Sequence, residues 1–213
     1  FIEGTHHRVI AEKLEKIARG ELKRLIVNMP PRHSKSEFAS YLMPSWFLGR
    51  NPKLKIIQAT MNTELAVRFG RKVRDLIADP IYREIFPDTD LKQDSQAAGR
   101  WETSAGGEYF AAGVGAAMTG RGADLLIIDD PHSEQDALSA SAYDNAYEWY
   151  TSGPRQRLQP GGTIIIVQTR WSKKDITGRL LTAQAKDVMA DQWEVVEFPA
   201  IMPSGEPLWP EFW

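Results

Sequence analysis

The feature that most constrains the fold is the stretch Leu25–Glu37, which reads LIVNMPPRHSKSE. An apolar, β-branched run ends at Met29, and two prolines and a short polar loop then lead to Lys35 and Ser36. A helix-like sequence follows. This order is typical of a phosphate-binding loop, in which backbone N–H groups, a helix N-terminus and an ammonium surround phosphate oxygens. The stretch predicts a nucleotide site, with Lys35 at the phosphates and the Ser36 hydroxyl on Mg²⁺.

The loop departs from the usual pattern G-x-x-x-x-G-K-S/T at both glycine positions, which Met29 and Ser34 occupy. Pro30 and Pro31 supply some stiffness instead, because each proline ring fixes its own φ angle. As a pattern the signal is weak. The phosphate-loop hypothesis therefore depends on a second element elsewhere in the chain.

The second element is Ala123–Asp130, which reads ADLLIIDD. Apolar residues that run into two acids predict a buried parallel strand with carboxylates at its C-terminal end. Asp129 would hold Mg²⁺ through water, and Asp130 would orient or deprotonate the attacking water. Taken alone, the stretch fits a plain strand end with a capping acid. Combined with Lys35 and Ser36, it favours a P-loop ATPase.

Composition limits the other classes of function. The chain has 213 residues, enough for one large α/β domain, and a formal net charge of −2, so contact with DNA would need a local patch, a loop or another domain. It has no cysteine, which excludes a disulfide framework and a cysteine metal site. No apolar run is long enough to predict a membrane span. The terminal residues, neither of them Met, indicate a piece of a longer protein.

Periodicity predicts alternating strands and helices. Strands are expected at Lys23–Met29, Lys53–Ala59, Trp101–Thr103, Glu108–Ala112, Ala123–Asp130, Thr163–Thr169 and Trp193–Phe198. Helices are expected to end at Arg19 and to cover Lys35–Leu48, Glu64–Ala78, Asp79–Phe86, Ser139–Ser152 and Asp175–Lys186. Pro44 should kink or split its helix. Loops are expected at Pro87–Gly99 and in the glycine-rich stretch Gly113–Gly122.

Three groups of side chains have two interpretations each. His6 and His7 are expected on the surface, with stacking on an adenine as the alternative. The Tyr- and Trp-rich helix Ser139–Ser152 is expected to pack in the core, with a partner surface as the alternative. The helix Glu64–Ala78 is expected to show a solvated basic face, with contact to DNA phosphate as the alternative. That face consists of Arg68, Arg71, Lys72 and Arg74.

The motifs extend over nearly the whole chain. In order they read GTHHRVIAEKLEKIARGELKRLIVNMPPRHSKSE, TELAVRFGRKVRD, GVGAAMTGRGADLLIIDDP, IIIVQTRWSKKDITGRLL and LWPEFW. In these motifs the chain resembles the ATPase domain of the large terminase subunit of tailed bacteriophages. PPRHSKS and the TRW segment with its following D-x-x-GRL are the most specific parts of the resemblance.

The resemblance implies an ASCE-type P-loop NTPase fold, a mainly parallel central sheet flanked by helices. It implies ATP hydrolysis with Mg²⁺ that drives double-stranded DNA into a procapsid, in the host cytoplasm during infection and without a membrane. The implied partners are the portal protein, the small terminase subunit and further copies of the chain in a ring. Residues 1–198 would form the ATPase domain, and residues 199–213 an exit linker toward an RNase H-like nuclease domain for which this chain has no room.

Carried over position by position, the resemblance puts Lys35 and Ser36 on the Walker A pair and Asp129 on the Walker B acid. It places Arg32 in the phosphate loop and Arg121 at an arginine finger, with an ion pair to Asp124 or a nearby acid as the alternative for Arg121. The residues expected to contact the nucleotide are Pro31, Arg32, His33, Ser34, Lys35, Ser36, Gln168 and Thr169.

One position departs from the family. The usual catalytic residue after the Walker B aspartate is glutamate, and here it is Asp130. Its side chain is one methylene shorter, so Glu134 is a second candidate for activating water. Gln168, Thr169 and Arg170 fall on the family's coupling motif.

Two other functions stay open at this stage. One is a helicase-like ATPase that depends on nucleic acid, although no helicase motifs follow downstream. The other is a nucleotide-gated assembly module without turnover, which the missing glycines and Asp130 favour weakly.

Overall fold

A sheet of eight strands forms the centre of the computed structural model, which describes residues 2–212. The strands are β1 (Arg24–Asn28), β2 (Lys55–Thr60), β3 (Leu91–Ala97), β4 (Arg100–Thr103), β5 (Glu108–Gly113), β6 (Ala123–Asp129), β7 (Leu158–Gln168) and β8 (Glu194–Glu197). Their order across the sheet is β3-β4-β5-β2-β6-β7-β1-β8. In this order, each strand from β5 through β2, β6, β7 and β1 to β8 is parallel to the next. Strand β4 is antiparallel to both β3 and β5. The predicted α/β class with a mainly parallel sheet is confirmed.

Helices cover both faces of this sheet. They are α1 (Thr5–Ala18), α2 (Met43–Arg50), α3 (Thr63–Ile77), α4 (Pro80–Ile85), α5 (Ala140–Ser152) and α6 (Ile176–Lys186). Successive side chains of a strand point to opposite faces, so Leu25 and Val27 pack with α1, α2 and α3, whereas Ile26 packs with α5 and α6. Tyr143 and Tyr150 of α5 are buried, which confirms the prediction of core packing for these two residues.

Pro44 divides the helix after the phosphate loop, as predicted. Proline lacks the N–H that would bond the carbonyl of Ser40, and its ring needs room at that carbonyl. The backbone therefore widens into a π-helix over Glu37–Leu42, where the Met43 N–H bonds the carbonyl of Phe38, five residues earlier. Single π-turns of this kind often occur at functional sites.

Two sequence predictions are wrong. The stretch Pro87–Gly99 is not all loop, because β3 lies within it and pairs with β4 at the edge of the sheet. An edge strand with a mostly exposed polar sequence shows little of the apolar alternation that predicts strands. His6 and His7 are not surface residues, since they are 1% and 2% exposed. Trp209 covers both rings from a segment far away in the sequence.

The segment after β8 packs against the domain. Leu208 and Trp209 are buried, and the Trp209 ring lies 4.7 Å from the His7 ring between centroids. Phe1 and Trp213, the outermost residues of the expected domain and linker, lie outside the described residues. Across residues 2–212, no helix has both the length and the apolar character needed to cross a membrane.

Candidate functional site

The predicted site residues meet at one edge of the sheet. The strands β6, β7 and β1 are neighbours and parallel, so their carboxyl ends lie side by side. The phosphate-loop sequence follows β1, Asp129 ends β6, and Thr169 follows β7. This edge is where open α/β sheets bind their ligands.

Asp129 is held by two serine hydroxyls. Ser36 Oγ donates to one carboxylate oxygen at 3.0 Å, and Ser40 Oγ donates to the other at 2.7 Å. Gln58 Nε2 in turn donates to Ser40 Oγ at 2.7 Å. Ser40 lies in the π-turn before Pro44, so this distortion of the helix supplies a ligand-orienting group that the sequence pattern did not reveal.

Burial raises the pKa of Asp129 to about 6. The neighbouring charge of Asp130 also raises this pKa, whereas the hydrogen bonds from Ser40 and Ser36 and the charge of Lys35 lower it. A carboxylate that is costly to ionise inside the protein is one that a cation would stabilise.

Lys35 and Asp130 form an ion pair across the site. Lys35 Nζ lies 2.8 Å from Asp130 Oδ2, with the two side chains 6% and 29% exposed. The backbone N–H of Thr169 donates to Asp130 Oδ1 at 2.7 Å. Asp130 has a φ of 42°, in the left-handed region where aspartate and asparagine are enriched among non-glycine residues. The Asp130 carboxylate is therefore held by the Lys35 ammonium, by the Thr169 N–H and by its own backbone conformation at the end of β6.

The phosphate loop has a left-handed backbone at two positions without glycine. The φ angle is 62° at Arg32 and 70° at Ser34. Ser34 occupies the second glycine position of the usual motif, so the loop keeps a conformation that glycine adopts without strain. A residue with a Cβ pays roughly 1–2 kcal/mol for it.

Ser34→Gly is expected to raise the free energy of unfolding by about 0.5–1 kcal/mol. Relief of the left-handed strain exceeds the backbone entropy of about 0.5–1 kcal/mol that glycine loses on folding. Chemical denaturation of the wild type and the variant measures the difference. Ser34→Ala is the matched control, because alanine keeps the Cβ and should bring no gain. A Gly variant no more stable than the Ala variant would show that the backbone here is unstrained.

A cleft of about 500 Å³ adjoins the loop. It is lined by Ile2, Arg32, Ser34, Lys35, Ser36, Glu37, Trp209 and Phe212. Trp209 and Phe212 stack on each other with ring centroids 4.4 Å apart. Sequence reasoning missed these two rings, although the aromatic LWPEFW run was a visible signal. The cleft combines a polar, basic floor with an aromatic wall.

His33 and Pro31 belong to the phosphate loop, and they contact each other rather than line the cleft. His33 is buried, and its Nδ1 lies 2.7 Å from the carbonyl oxygen of Pro31. Its ring centroid lies 5.9 Å from that of His6. Both residues therefore shape the loop, and direct contact with a nucleotide stays a prediction for them.

Gln168 and Thr169 differ in their surroundings. Gln168 is buried and its Nε2 donates to Thr177 Oγ1 at 2.6 Å, so its side chain is directed toward α6. Thr169 lies beside Asp130 through its backbone N–H. Thr169 therefore belongs to the cluster, whereas the Gln168 side chain is buried against α6. Contact with a nucleotide stays a prediction for both residues.

Across residues 2–212, no hydrogen bond or ion pair joins Arg121 or Glu134 to this cluster. Arg121 forms an ion pair with Glu108 and stacks over Phe110, with 3.9 Å between Cζ and the ring centroid. The acid that pairs with Arg121 is thus Glu108 and not Asp124. Asp124 instead accepts a hydrogen bond from the backbone N–H of Lys55. Glu134 is exposed. Of the two candidates for activating water, only Asp130 contacts Lys35.

The oxygen groups at this edge fit Mg²⁺ bound together with a nucleotide. The Ser36 hydroxyl and the Asp129 carboxylate are hard oxygen donors in direct contact. Within the described part of the chain, no three acidic, histidine or cysteine side chains gather closely enough to hold a metal by themselves. Mg²⁺ commonly takes one or two protein oxygens and completes its shell with water and substrate phosphates.

The raised pKa of Asp129 predicts an unusual dependence on pH. In the unfolded chain the pKa is near 3.8, so the folded protein holds this proton more tightly, and the stabilisation is lost as pH rises toward about 6. Without metal, the wild type should lose stability relative to Asp129→Asn by up to about 1.4 kcal/mol per pH unit between those values. Denaturation of both proteins across this range measures the difference, and a constant difference would contradict the burial of a titrating Asp129.

His6 acts in the opposite direction over the same range. Burial is the main cause that lowers its pKa to about 4, so the stability it supports is lost as pH falls from near 6.5 toward that value. Because both proteins in the comparison contain His6, its contribution cancels in their difference. In the stability of the wild type alone, the opposite pH dependences of Asp129 and His6 would partly cancel.

Comparison with known proteins gives structural neighbours only. No family model and no curated protein sequence matches the chain. The HK97 bacteriophage large terminase superposes with a TM-score of 0.56 and 12% identity over 95% of this chain and 40% of its own. An arginine-to-alanine variant of the Thermus phage P74-26 large terminase ATPase domain superposes with a TM-score of 0.58 and 18% identity, over 93% of this chain and 83% of its own.

The two neighbours agree on one architecture. This chain spans two fifths of the HK97 protein but most of the isolated P74-26 ATPase domain. Both superpositions cover more than nine tenths of this chain. The chain therefore has the α/β fold of the ATPase domain of bacteriophage large terminases.

Proposed function

We propose that this chain binds ATP with Mg²⁺ and hydrolyses it as the ATPase domain of a motor that packages double-stranded viral DNA. The observation that carries the proposal is the meeting of Lys35, Ser36, Asp129 and Asp130 at the carboxyl edge of the sheet. The fold shared with large terminase ATPase domains supports it. The setting proposed with it is the host cytoplasm during virion assembly.

Each residue of the cluster has a distinct task in this proposal. The Lys35 ammonium leaves Asp130 and binds the β- and γ-phosphate oxygens. Ser36 and Asp129 would hold Mg²⁺, which would supply positive charge to those oxygens. Asp130, released from Lys35 but still bonded to the Thr169 N–H, orients the attacking water and accepts its proton. Nucleotide binding thus breaks the ion pair between Lys35 and Asp130, and this frees the Asp130 carboxylate for catalysis.

The remaining cleft residues suit the rest of the nucleotide. Arg32 lines the cleft next to Lys35 and adds a second positive charge near the phosphates. The stacked pair of Trp209 and Phe212 offers an aromatic surface to the base.

The proposal includes a ring of copies on a portal protein, supplied by a small terminase subunit. In such a ring Arg121 would exchange Glu108 for the nucleotide of the neighbouring subunit. Residues 1–198 would act as the motor domain, and 199–213 would lead toward a nuclease domain.

Arg121→Ala is expected to bind ATP normally and to lose about 10³-fold or more in hydrolysis, because an arginine finger stabilises charge on the transferring phosphoryl oxygens. Mixing this variant with Lys35→Ala protein should restore part of the activity, since some interfaces then hold one intact Lys35 and one intact Arg121. Arg100→Ala is the control, because Arg100 also faces Glu108. Near-normal hydrolysis by Arg121→Ala alone would exclude the finger.

Phosphate release by the purified chain, with and without duplex DNA, tests the function as a whole. A packaging motor should hydrolyse ATP and respond to duplex DNA more than to single strands. A preference for single strands would favour a helicase-like ATPase. Tight ATP binding without any phosphate release, in a preparation shown to form rings, would overturn the proposal in favour of a gated assembly module.

A further inference from the structure

A basic groove lies between α5 and α6, on the face of the sheet away from α1, α2 and α3. Its volume is about 510 Å³. It is lined by Ala140, Asp144, Tyr147, Lys173, Lys174, Arg179, Thr182, Ala183 and Lys186. Four of these side chains are cationic and one is acidic, in a chain whose formal net charge is −2.

Most of this positive charge is not neutralised by the protein. Arg179 pairs with Asp144 and stacks over Tyr147. Lys173, Lys174 and Lys186 are exposed, and across residues 2–212 their ammonium groups form no ion pair. The groove thus holds three ammonium groups whose counter-charges would have to come from outside.

The basic face of α3 is less available. Lys72 is paired with Glu37 at 3.1 Å, and Arg74 is paired with Asp75 at 2.7 Å. Two of its four cations therefore have partners within the chain. This comparison favours the groove over α3 as the place where the chain meets a polyanion.

The backbone that carries the lysines is held in place. The Lys174 N–H donates to Ser172 Oγ at 3.1 Å, and Arg179 Nε donates to the Lys174 carbonyl at 3.0 Å. A Cβ at Gly178 would come within 2.0 Å of the Lys173 carbonyl oxygen, so only glycine allows this close packing of the loop on α6. Lys173 and Lys174 thus project from a fixed loop, and Lys186 projects from the last turn of α6.

This loop continues directly from the candidate active site. Thr169 bonds Asp130, and Arg170 donates to Asp175 at 2.8 Å. Asp175 also caps α6 by accepting the N–H of Gly178 at 3.0 Å. A ligand in the groove would therefore lie on the segment that positions the proposed catalytic carboxylate.

We propose that this groove binds the sugar-phosphate backbone of duplex DNA through Lys173, Lys174 and Lys186. Lysines are flexible point charges that suit phosphates. A protein partner would be expected to need a larger apolar centre than one tyrosine ring and two alanines provide. The choice of DNA among polyanions rests on the proposed packaging function.

The test compares two charge-matched double variants of the chain. Lys173→Ala/Lys174→Ala removes two charges from the groove. Lys23→Ala/Lys53→Ala removes two exposed charges near the amino ends of β1 and β2, at the opposite edge of the sheet. Fluorescence anisotropy with a labelled DNA duplex gives the affinity over a series of salt concentrations, in the absence of nucleotide.

The groove variant should bind DNA more weakly, and the slope of log affinity against log salt should become shallower by about 1.8, or 0.9 for each lost phosphate contact. Its deficit relative to wild type should therefore shrink about tenfold between roughly 50 and 200 mM salt. The control should keep the wild-type slope. Equal slopes for all three proteins, no binding by the wild type, or stronger binding to poly-glutamate than to DNA would each overturn the proposal.

A second readout separates this inference from the proposed function. Without DNA, the groove variant should release phosphate from ATP at the wild-type rate, and only the response to DNA should be lost. If no protein hydrolyses ATP but the salt slopes differ as stated, the packaging function fails while the DNA surface stands. If hydrolysis occurs and the slopes agree, the surface assignment fails alone.

Discussion

Lys35→Ala is expected to abolish ATP hydrolysis, with a loss of about 10² to 10³-fold or more, and to weaken nucleotide binding. Lys35 is the only lysine that lines the cleft among the described residues, and its buried ammonium lies 2.8 Å from Asp130 Oδ2. Steady-state phosphate release and equilibrium binding of ATP measure the two effects separately.

Lys72→Ala is the control for this prediction. Lys72 also pairs with a carboxylate, that of Glu37 at the rim of the cleft, but its side chain is 40% exposed and is not part of the proposed machinery. This variant should keep the wild-type rate, because an exposed ion pair contributes little. Unchanged turnover in Lys35→Ala, with the fold intact by circular dichroism, would contradict the phosphate-loop assignment.

Asp130→Asn is expected to bind ATP and to lose about 10² to 10⁴-fold in hydrolysis, because the amide has nearly the same size but cannot accept a proton from water. The Thr169 N–H can still bond the amide oxygen, so the strand end should keep its geometry. ATP affinity that survives together with lost phosphate release is the expected pair of results. Normal release would move the base role to another residue, with Glu134 the next to be replaced.

Asp130→Glu tests whether the site favours aspartate, as its geometry indicates, or glutamate, as the family resemblance implies. The resemblance implies glutamate at this position, but the left-handed backbone suits aspartate, and the short side chain fits between Lys35 and the Thr169 N–H. We therefore expect the Glu variant to be at least about tenfold slower than the wild type. A rate equal to or above the wild type would show that the aspartate is a compromise.

The sequence predicted the site through strand ends. Asp129 and Asp130 stand at the end of one apolar strand, and Lys35 and Ser36 follow another after a short loop. Parallel strands bring such ends together at one edge of the sheet. Nothing in the local pattern indicates that β6, β7 and β1 are neighbours, so the pairing of Lys35 with Asp130 required the structure.

Other features depend on contacts that are distant in sequence. Ser40 contacts Asp129 from a π-turn that precedes Pro44, and Trp209 closes over His6 and His7 from the other end of the chain. Helical periodicity showed where the helix lies but not that its register widens. The burial of His6 and His7 differs from the prediction because polar residues at a helix start ordinarily face water.

The central claim is that the Lys35, Ser36, Asp129 and Asp130 cluster binds Mg²⁺ and ATP. Calorimetric titration of the wild type and Asp129→Asn with a non-hydrolysable ATP analogue, with and without Mg²⁺, tests it most directly. We expect Mg²⁺ to strengthen binding to the wild type at least about tenfold and to leave Asp129→Asn unaffected, because the amide supplies no charge to the cation. Equal strengthening by Mg²⁺ in both proteins, or no binding of the analogue to the wild type, would contradict it.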